Sequence, residues 1–413
     1  MRIHKYISFF VVLSVCVQLI AGCSGCSNKT KNKPSGLSRG KTLAIDMSLR
    51  QRLSDFSIQP RTKGQFAFDV YDLTADKPVY GYNENQAMSS ASCLKLLSGV
   101  AGLHLLGTDY FYKTSVYVRG DVKGGMLYGD LGFKIGLDPQ IMAPDLAQFA
   151  KIIKNKGIGK LTGKLLIDLT ITEPVRSEEH WYPWDLNFSR YGLFYKGEDR
   201  VVQAIKSALR MQGVQVVDSQ VVMAVIPRGM RCVYQYKRSI GYVTQRMWKH
   251  SSNTQATAML YTIGHHVNPH ADPVLAGVDY LRTFLRDTLK LKDSSLVVHD
   301  GCGLCTYNRL SPRSLTSILR FGYLHKPIFQ RLYSDLSVSG VDGTLLHSFQ
   351  GPKTKGKIRA KTGTLSHPYG ISSLAGYCQG SNGHLLAFAI MDTEMSVLDA
   401  RVLQRKLCEA LVE

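Results

Sequence analysis

Residues 89–107 have the sequence Ser89-Ser90-Ala91-Ser92-Cys93-Leu94-Lys95-Leu96-Leu97-Ser98-Gly99-Val100-Ala101-Gly102-Leu103-His104-Leu105-Leu106-Gly107. The pattern predicts a single helix, because the serine cluster can cap its start and Gly107 can adopt the left-handed conformation that ends a helix. The apolar residues between these ends leave almost no polar face, so we expect a helix that is buried on most sides.

The first turn of this helix carries Ser92 and Lys95 into an apolar setting. Residues three apart share a helix face, so the lysine amine can reach the serine hydroxyl. Burial lowers the pKa of a lysine, and a neutral amine can act as the base for a serine nucleophile. A capping serine beside a surface lysine is the alternative. Ser-x-x-Lys also occurs at Ser38–Lys41, in a linker-like stretch, so the pattern needs partners.

The composition is typical of a globular protein that is long enough for two domains. The chain has 413 residues, an apolar fraction of 44% and a net charge of +20. Such a charge indicates polyanionic surroundings, which include nucleic acid, anionic lipid and cell-wall polymer. The sequence has no zinc-finger spacing, helix-turn-helix signal or RNA-binding motif, so we expect no nucleic-acid partner.

The N-terminus has the features of an export signal. A basic start and an apolar run over residues 7–20 predict a signal peptide at 1–22. The sequence Leu19-Ile20-Ala21-Gly22-Cys23 resembles a bacterial lipoprotein box, which makes Cys23 the expected lipidation site. Ordinary cleavage near Ala21 or Gly22 is the alternative. We expect a periplasmic protein that a lipid anchors to a membrane, and Ser24 favours the outer membrane by resemblance to other lipoproteins.

The cysteines and histidines do not predict a metal site or a cofactor. Excluding Cys16 in the signal and Cys23 leaves seven of the nine cysteines, with no regular spacing. Cys302-Gly303-Leu304-Cys305 lacks the second pair that a zinc site needs, so we interpret it as a disulfide or as two small side chains. Three histidines without H-E-x-x-H spacing are interpreted as structural: His250, His265 and His266.

The order of predicted elements indicates an α+β fold. Residues 65–73 and 78–82 predict a hairpin before the Ser92 helix, and three strand-like runs plus a helix end the chain. Residues between about 112 and 225 have an α/β pattern of their own. We therefore predict a flexible tether at 23–41 and a main domain formed by 42–116 and 225–413. A small α/β domain is inserted at 117–224.

Two further motifs complete a possible site. Ser251 and Asn253 form a Ser-x-Asn in a predicted helix interruption, and Lys361-Thr362-Gly363 is the only Lys-Thr-Gly in the chain. Alone, the first indicates a helix cap and the second a strand end. With Ser92 and Lys95, their order and residue types resemble the serine acyl-transferases, which comprise penicillin-binding proteins and β-lactamases.

Five blocks in order give a closer resemblance. They are Ala91–Lys95, Asp300–Leu304, Asn308–Pro312, Gly340–Leu345 and Ala360–Leu365. They resemble the penicillin-binding protein 4 type of D-alanyl-D-alanine carboxypeptidase/endopeptidase, of the class C low-molecular-mass penicillin-binding proteins, over roughly residues 45–395. The resemblance implies a β-lactamase/transpeptidase-like domain, an antiparallel sheet with helices on both sides, interrupted by an inserted domain. It also implies peptidoglycan peptide stems as substrate and β-lactams as inhibitors.

The resemblance also implies roles for the motif residues. Ser92 would attack the carbonyl between two D-alanines and form an acyl-enzyme, with Lys95 as base. Ser251 would relay a proton to the leaving amine. Asn253 would hold Lys95 and the substrate amide.

For the third motif, the resemblance implies a role in binding the substrate's terminal carboxylate. Lys361 would supply positive charge, Thr362 and Thr364 would bind the carboxylate, and Gly363 would let substrate pass close to the strand. The backbone N–H groups of Ser92 and Thr364 would form the oxyanion hole.

Two more residues are candidates for selecting the peptide substrate. Tyr182-Pro183-Trp184-Asp185 resembles an aromatic-acidic segment of some family members, so Asp185 could pair with an amine and Arg309 with a carboxylate of a diamino acid. An aromatic packing loop is the alternative. The chain departs from the family pattern at Cys302 and Cys305, where serines are usual, and in a shortened segment after Tyr191.

Two rival functions remain at this point. A β-lactamase of class A would need a Glu-x-x-x-Asn element, and none of four glutamates has it: Glu173, Glu178, Glu179 and Glu198. A catalytically idle protein that binds cell-wall fragments would have no need for a buried amine such as Lys95, because burying one without a function is costly.

Overall fold

The structure is a computed structural model that describes residues 43–59, 63–367 and 370–413. The predicted signal peptide at 1–22, the tether at 23–41 and the lipidation site Cys23 lie outside the described residues. None of the helices in the described ranges has the length and hydropathy that a membrane-crossing segment needs.

Helices and strands alternate along the chain. The helices are α1 (Met47–Ser57), α2 (Leu94–Leu106), α3 (Leu146–Asn155), α4 (Glu198–Met211), α5 (Ile240–Lys249), α6 (Asn253–Val267), α7 (Pro273–Thr283), α8 (Pro312–Leu324), α9 (Lys326–Asp335) and α10 (Val397–Val412). The strands are β1 (Gln65–Asp72), β2 (Lys77–Tyr82), β3 (Phe111–Lys123), β4 (Met126–Ile135), β5 (Lys160–Leu161), β6 (Leu165–Leu169), β7 (Val221–Met223), β8 (Arg231–Ser239), β9 (Ser337–Val338), β10 (Ile358–Leu365), β11 (Ile371–Gln379) and β12 (Leu385–Thr393).

The first sheet joins the two ends of the described chain. Its strand order is β2-β1-β12-β11-β10-β9, and every neighbouring pair is antiparallel. The predicted hairpin of β1 and β2 is present at one edge. At the other edge, β9 pairs only with Arg359 and Ala360 of β10, so β11 is the only sheet partner of residues 361–365 among the described residues.

Both faces of this sheet are covered, as its side-chain alternation requires. On β12, Phe388 and Ile390 belong to the core shared with α1 and α10, whereas Ala389 and Met391 face the core that contains α2 and α8. Helix α8 packs on this face of the sheet, where the small side chain of Ala389 leaves room for it. The predicted α+β fold with helices on both sides of an antiparallel sheet is confirmed.

The predicted Ser92 helix begins differently from its expected form. Residues Ala91–Cys93 form a 3-10 turn before α2, and the serine cluster contributes no side-chain capping bond to either. Ala91 has a φ of 43°, so the chain enters the turn in a left-handed conformation that is unfavourable for a residue with a Cβ. The predicted end is correct, because Gly107 follows α2 with a φ of 86°.

The second sheet lies in the middle of the sequence, between Phe111 and Ser239. Its order is β7-β6-β4-β3-β8, with β5 beside β4, and it mixes parallel and antiparallel pairs. Helices α3 and α4 pack on it around a core of its own, which includes Val116, Phe149 and Ile205. The predicted division of the chain at residues 117 and 224 stays a prediction.

The described cysteines outside the N-terminal segment are all free thiols. They are Cys93, Cys232, Cys302, Cys305, Cys378 and Cys408. Of the two interpretations of the Cys302–Cys305 pair, the structure therefore has two unlinked side chains, and both are buried.

Candidate active site

The predicted pair on the first turn of the buried helix is formed. Ser92 lies in the 3-10 turn and Lys95 is the second residue of α2, with no exposed surface. Lys95 Nζ is 2.8 Å from Ser92 Oγ, 2.7 Å from Asn253 Oδ1 and 2.5 Å from the carbonyl oxygen of Cys302. The amine thus has three oxygen neighbours and lies in a side chain with no exposed surface.

The kinds of oxygen around Lys95 decide which way protons can move. The Asn253 and Cys302 oxygens can only accept hydrogen bonds, whereas the Ser92 hydroxyl can also donate. A neutral amine has two hydrogens, which these two acceptors take, and its lone pair then faces Ser92. Burial lowers the pKa of Lys95, against smaller opposing effects of Cys302 and Asp300. The geometry therefore suits transfer of the serine proton to the amine.

The break between α5 and α6 carries the second motif. Helix α5 ends at Lys249, Ser251 has a φ of 54°, and Asn253 begins α6. Trp248, at the end of α5, donates from Nε1 to the Lys95 carbonyl at 2.8 Å. This bond links the break to α2 and holds Asn253 beside Lys95.

The third motif lies on β10. Lys361 has no exposed surface, and its Nζ is 2.8 Å from Ser251 Oγ and 2.6 Å from the Thr362 carbonyl oxygen. Burial, together with the positive charge of Lys95, lowers the pKa of Lys361 to about 7. The structure thus brings all three motifs together, as two lysine–serine pairs.

Strand β10 lies directly against the Ser92 turn at Gly363. A Cβ at that position would be 2.2 Å from Ser373 Oγ and 2.6 Å from the Ser90 carbonyl oxygen, so no larger residue fits there. Ser373 Oγ donates to that Ser90 oxygen at 2.6 Å, and Cys93 Sγ donates to the Lys361 carbonyl at 3.2 Å. These two bonds fasten the sheet to the turn that presents Ser92.

The threonines of this motif differ in their surroundings. Thr362 is half-buried and its Oγ1 donates to Thr344 Oγ1 at 2.9 Å, in the Gly340–Leu345 block. Thr364 is exposed. Both line a cavity of about 460 Å³ together with Gly363, Arg401 and Arg405.

A buried carboxylate shapes the loop that meets Lys95. Asp300 accepts hydrogen bonds from the backbone N–H of Cys302, Gly303 and Cys305. It also accepts from Trp181 Nε1 at 2.7 Å and from Asn308 Nδ2 at 3.1 Å. Because the carboxylate folds the loop around itself, the Cys302 carbonyl points at the Lys95 amine.

The comparison with known protein families agrees with this geometry. The chain matches the D-Ala-D-Ala carboxypeptidase 3 (S13) family over residues 49–191 and 195–411. The chain belongs to this family. It is a serine peptidase of the D-Ala-D-Ala carboxypeptidase type, and the predicted family, function and enzyme class are confirmed.

Individual S13 relatives support the assignment. The D-alanyl-D-alanine carboxypeptidase DacB of Haemophilus influenzae is 18% identical over an alignment of 423 residues. The alignment, gaps included, covers 81% of this chain and 87% of that one. A D-alanyl-D-alanine carboxypeptidase of an Actinomadura species is 31% identical over 151 residues, 35% of this chain and 26% of the relative.

Solved structures share the fold. Penicillin-binding protein 4 of Haemophilus influenzae has a TM-score of 0.71 at 17% identity, covering 86% of this chain and 97% of that one. A predatory peptidoglycan endopeptidase from Bdellovibrio bacteriovorus has a TM-score of 0.55 at 15% identity, with coverages of 83% and 89%. At these identities the likeness concerns the fold alone.

The two residues predicted to select the peptide substrate, Asp185 and Arg309, make their described hydrogen bonds within their own segments of this S13 chain. Asp185 is half-buried and accepts a hydrogen bond from the Tyr182 backbone N–H at 3.0 Å. Burial raises the pKa of Asp185, and the negative charge of Asp300 adds to the effect. Arg309 Nη1 donates to two carbonyls of its own loop, those of Thr306 and Asn308. The described contacts of Arg309 therefore tie it to its loop.

Several residues that position the site were missed from the sequence. Trp181, Trp248 and Ser373 each connect a motif to an element distant in the chain. Asp300 lies in a block used only for the family resemblance. An Asp followed by Gly-x-Gly is a signal for a tight loop around a carboxylate, and it could have suggested a positioning role.

Proposed function

We propose that Ser92 is the residue that becomes acylated and that Lys95 removes its proton. The observation that carries this proposal is the set of three oxygens around Lys95 Nζ, of which only Ser92 Oγ can donate a proton. The amine takes the proton as Oγ attacks the carbonyl between the two D-alanines, and the acyl–serine ester forms when the amide bond breaks. Water then cleaves the ester and releases the acid.

We propose that the other lysine–serine pair serves the departing D-alanine. The pair is Lys361 with Ser251, and Ser251 would pass a proton to the leaving amine. Lys361, in its charged form, would attract the terminal carboxylate, which Thr362 and Thr364 bind. In the described part of the chain β9 does not pair with residues 361–365 of β10, so this edge can receive an extended peptide, as exposed strand edges do.

The backbone N–H groups of Ser92 and Thr364 remain our proposal for the oxyanion hole. Gly363 is the support for it, because the tight contact there keeps the β10 backbone beside the Ser92 turn. Preorganised backbone donors of this kind stabilise the charge that develops on the carbonyl oxygen.

We propose that β-lactams acylate the same serine. The Haemophilus influenzae penicillin-binding protein 4 has been solved with a β-lactam, and a Bdellovibrio bacteriovorus endopeptidase acylated by penicillin G has also been solved. Labelling by fluorescent penicillin tests the nucleophile. We expect labelling of the wild type and none of Ser92→Ala.

The control for this experiment is Ser89→Ala. Ser89 is also buried, three residues earlier, and its hydroxyl has no hydrogen-bond partner among the described residues. This variant should be labelled like the wild type. Absence of labelling in folded wild-type protein would instead favour the catalytically idle alternative.

The balance between trimming and crosslink cleavage is tested on purified peptidoglycan with products resolved by mass. Release of alanine alone means carboxypeptidase action, and monomers formed from dimers mean endopeptidase action. We propose that Asp185 and Arg309 recognise the amine and the carboxylate of the diamino acid. If so, Asp185→Asn and Arg309→Gln will raise KM for the peptide and leave the rate of penicillin labelling unchanged.

The remaining proposals concern the chain outside the site. We propose that the second sheet with α3 and α4 forms the inserted domain, which the separate core of these elements supports. We also propose that the protein is periplasmic and attached through Cys23 to a membrane, the outer one if the cell has one. Labelling of cells with a radioactive fatty acid should mark the wild type and leave Cys23→Ala unmarked.

A further inference from the structure

Four side chains with metal-binding donor atoms meet outside the Ser92 site. They are Glu178, His180, His299 and Cys305, and one donor atom of each lies within 4.8 Å of those of the other three. His180 Nδ1 is 2.7 Å from Glu178 Oε1, and His299 Nδ1 is 3.6 Å from the same oxygen. The cluster joins the segment before α4 to the loop before α8.

We propose that these four residues bind one divalent transition-metal ion of the zinc class. One thiolate, two imidazoles and one carboxylate are ligands that zinc accepts, and four protein ligands complete a tetrahedral site. Hard cations such as Mg²⁺ and Ca²⁺ prefer oxygen ligands and are disfavoured by the thiolate and imidazoles.

The spacing of the donors is compatible with closure around an ion. Zinc–ligand lengths of about 2.0–2.3 Å place tetrahedral donors roughly 3.3–3.8 Å apart, so the widest separation must shrink by about 1 Å. Rotation of the half-exposed histidine side chains can supply this movement, and Cys305 is the buried anchor. Binding releases the thiol proton of Cys305 to solvent, and the thiolate and Glu178 then balance the charge of the ion.

The position of the cluster gives the ion a structural role. Trp181 follows His180 and donates to Asp300, which follows His299. The Cys305 N–H also donates to Asp300, at 2.8 Å. The ion would therefore fasten the two chain segments that surround the Asp300 carboxylate. This carboxylate folds the loop whose Cys302 carbonyl contacts Lys95.

The sequence pattern hides this site. Cys302-Gly303-Leu304-Cys305 lacks a second cysteine pair, and the three histidines considered above are not members of the cluster. His180 and His299 come from two segments that only the tertiary fold brings side by side, with ring centroids 5.4 Å apart. We assign Cys305 a ligand role in addition to that of a small buried side chain.

The experiment measures metal content rather than peptidase activity. Full-length protein is purified in a phosphine reductant, stripped with a chelator, incubated with Zn²⁺, desalted and analysed by elemental mass spectrometry. We expect about one zinc per chain in the wild type and a clear loss in His180→Gln and Cys305→Ser. The control His265→Gln removes another half-buried histidine and should keep the zinc.

Two further readouts separate ligand loss from misfolding. Replacing zinc by Co²⁺ should produce a thiolate-to-metal absorption band in the wild type that is absent in Cys305→Ser. Zinc should raise the midpoint of thermal unfolding by several degrees in the wild type and not in His180→Gln, because ligand binding stabilises the folded state. Circular dichroism and a cooperative urea transition show independently whether each variant is folded.

The results that would overturn the proposal are equally definite. If the wild type binds no more zinc than Cys305→Ser, these residues do not form a zinc site. A cobalt absorption band that persists in Cys305→Ser would contradict the proposal in the same way. Because penicillin labelling and zinc content are separate measurements, an inactive Ser92 site would leave the metal result unaffected.

Discussion

The helix side and the strand side of the active site carry the same pair of residue types in different surroundings. On the helix side, Lys95 contacts Ser92 and two oxygens that only accept. On the strand side, Lys361 contacts Ser251 and the carbonyl of its own neighbour, Thr362. Both amines are buried, and burial lowers the pKa of each.

The difference teaches how two similar pairs can divide the work. The acceptors around Lys95 come from α6 and from the Asp300 loop, so they hold its amine in one direction toward Ser92. Lys361 has a pKa of about 7, so charged and neutral forms coexist at neutral pH. A group of this kind can attract a carboxylate and take part in proton transfer, whereas Lys95 serves best when neutral.

The largest effect is expected on the helix side. Lys95→Met keeps most of the unbranched side chain but removes the amine that we propose as the base, and we expect penicillin labelling to slow by about 10²–10⁴-fold, the usual contribution of a general base. Stopped-time labelling with fluorescent penicillin measures the rate. Lys113→Met, at an exposed lysine on β3, should label normally. A normal rate in Lys95→Met would transfer the role of base to the strand side.

A steric change tests whether the two sides must touch. Gly363→Ala would place a methyl group 2.2 Å from Ser373 Oγ and 3.1 Å from the Cys93 backbone nitrogen. We expect the free energy of unfolding to fall by about 1–3 kcal/mol, as for overpacked cores, together with slower labelling. Urea unfolding measures the change.

Gly351→Ala is the matched control for Gly363→Ala. A Cβ at Gly351 meets no atom within 4 Å, so stability and labelling should stay close to those of the wild type. Equal stability of the two alanine variants would mean that the strand side can move away from the Ser92 turn.

The pH dependence of stability tests the lowered pKa of Lys361 on the strand side. Lys361 has a pKa of about 7 in the folded protein against an ordinary value of 10.5, so between these values the unfolded chain binds more protons. Stability therefore rises with pH in this window, by up to about 1.4 kcal/mol per pH unit from this group. Urea unfolding at pH 7 and pH 8.5 should show a larger gain for the wild type than for Lys361→Met. Equal gains would mean that burial does not lower the pKa of Lys361.

The smallest effect on stability and labelling is expected at the hydrogen bond between Trp181 and Asp300, which supports the loop that contacts Lys95. Trp181→Phe removes the 2.7 Å bond to Asp300 but keeps an aromatic ring, so we expect a loss of about 1 kcal/mol in stability and a few-fold slower labelling. Thermal unfolding and labelling measure the two effects. Trp184→Phe changes a tryptophan that is 67% exposed and stacked on Tyr182, and it should alter neither. Loss of labelling in both variants would instead assign the effect to the aromatic segment as a whole.

The prediction of the fold succeeded where local pattern and burial agree. The hairpin predicted at 65–73 and 78–82 matches β1 and β2, and the predicted helix interruption at Ser251 and Asn253 separates α5 from α6. The start of α2 was predicted less well. The serines there predict a side-chain cap, but the chain enters a 3-10 turn with a φ of 43° at Ala91, and neither this turn nor α2 has a side-chain capping bond.

The sequence by itself determined the family, the α+β fold and the three motifs, because these depend on residue order and on apolar periodicity that act locally. Only the tertiary structure decided that the Asp300 loop points the Cys302 carbonyl at Lys95, that Gly363 touches the Ser92 turn, and that Glu178 and Cys305 meet two histidines. The physical reason is that these contacts join segments far apart in the chain. Their geometry depends on how whole elements pack, which no local pattern records.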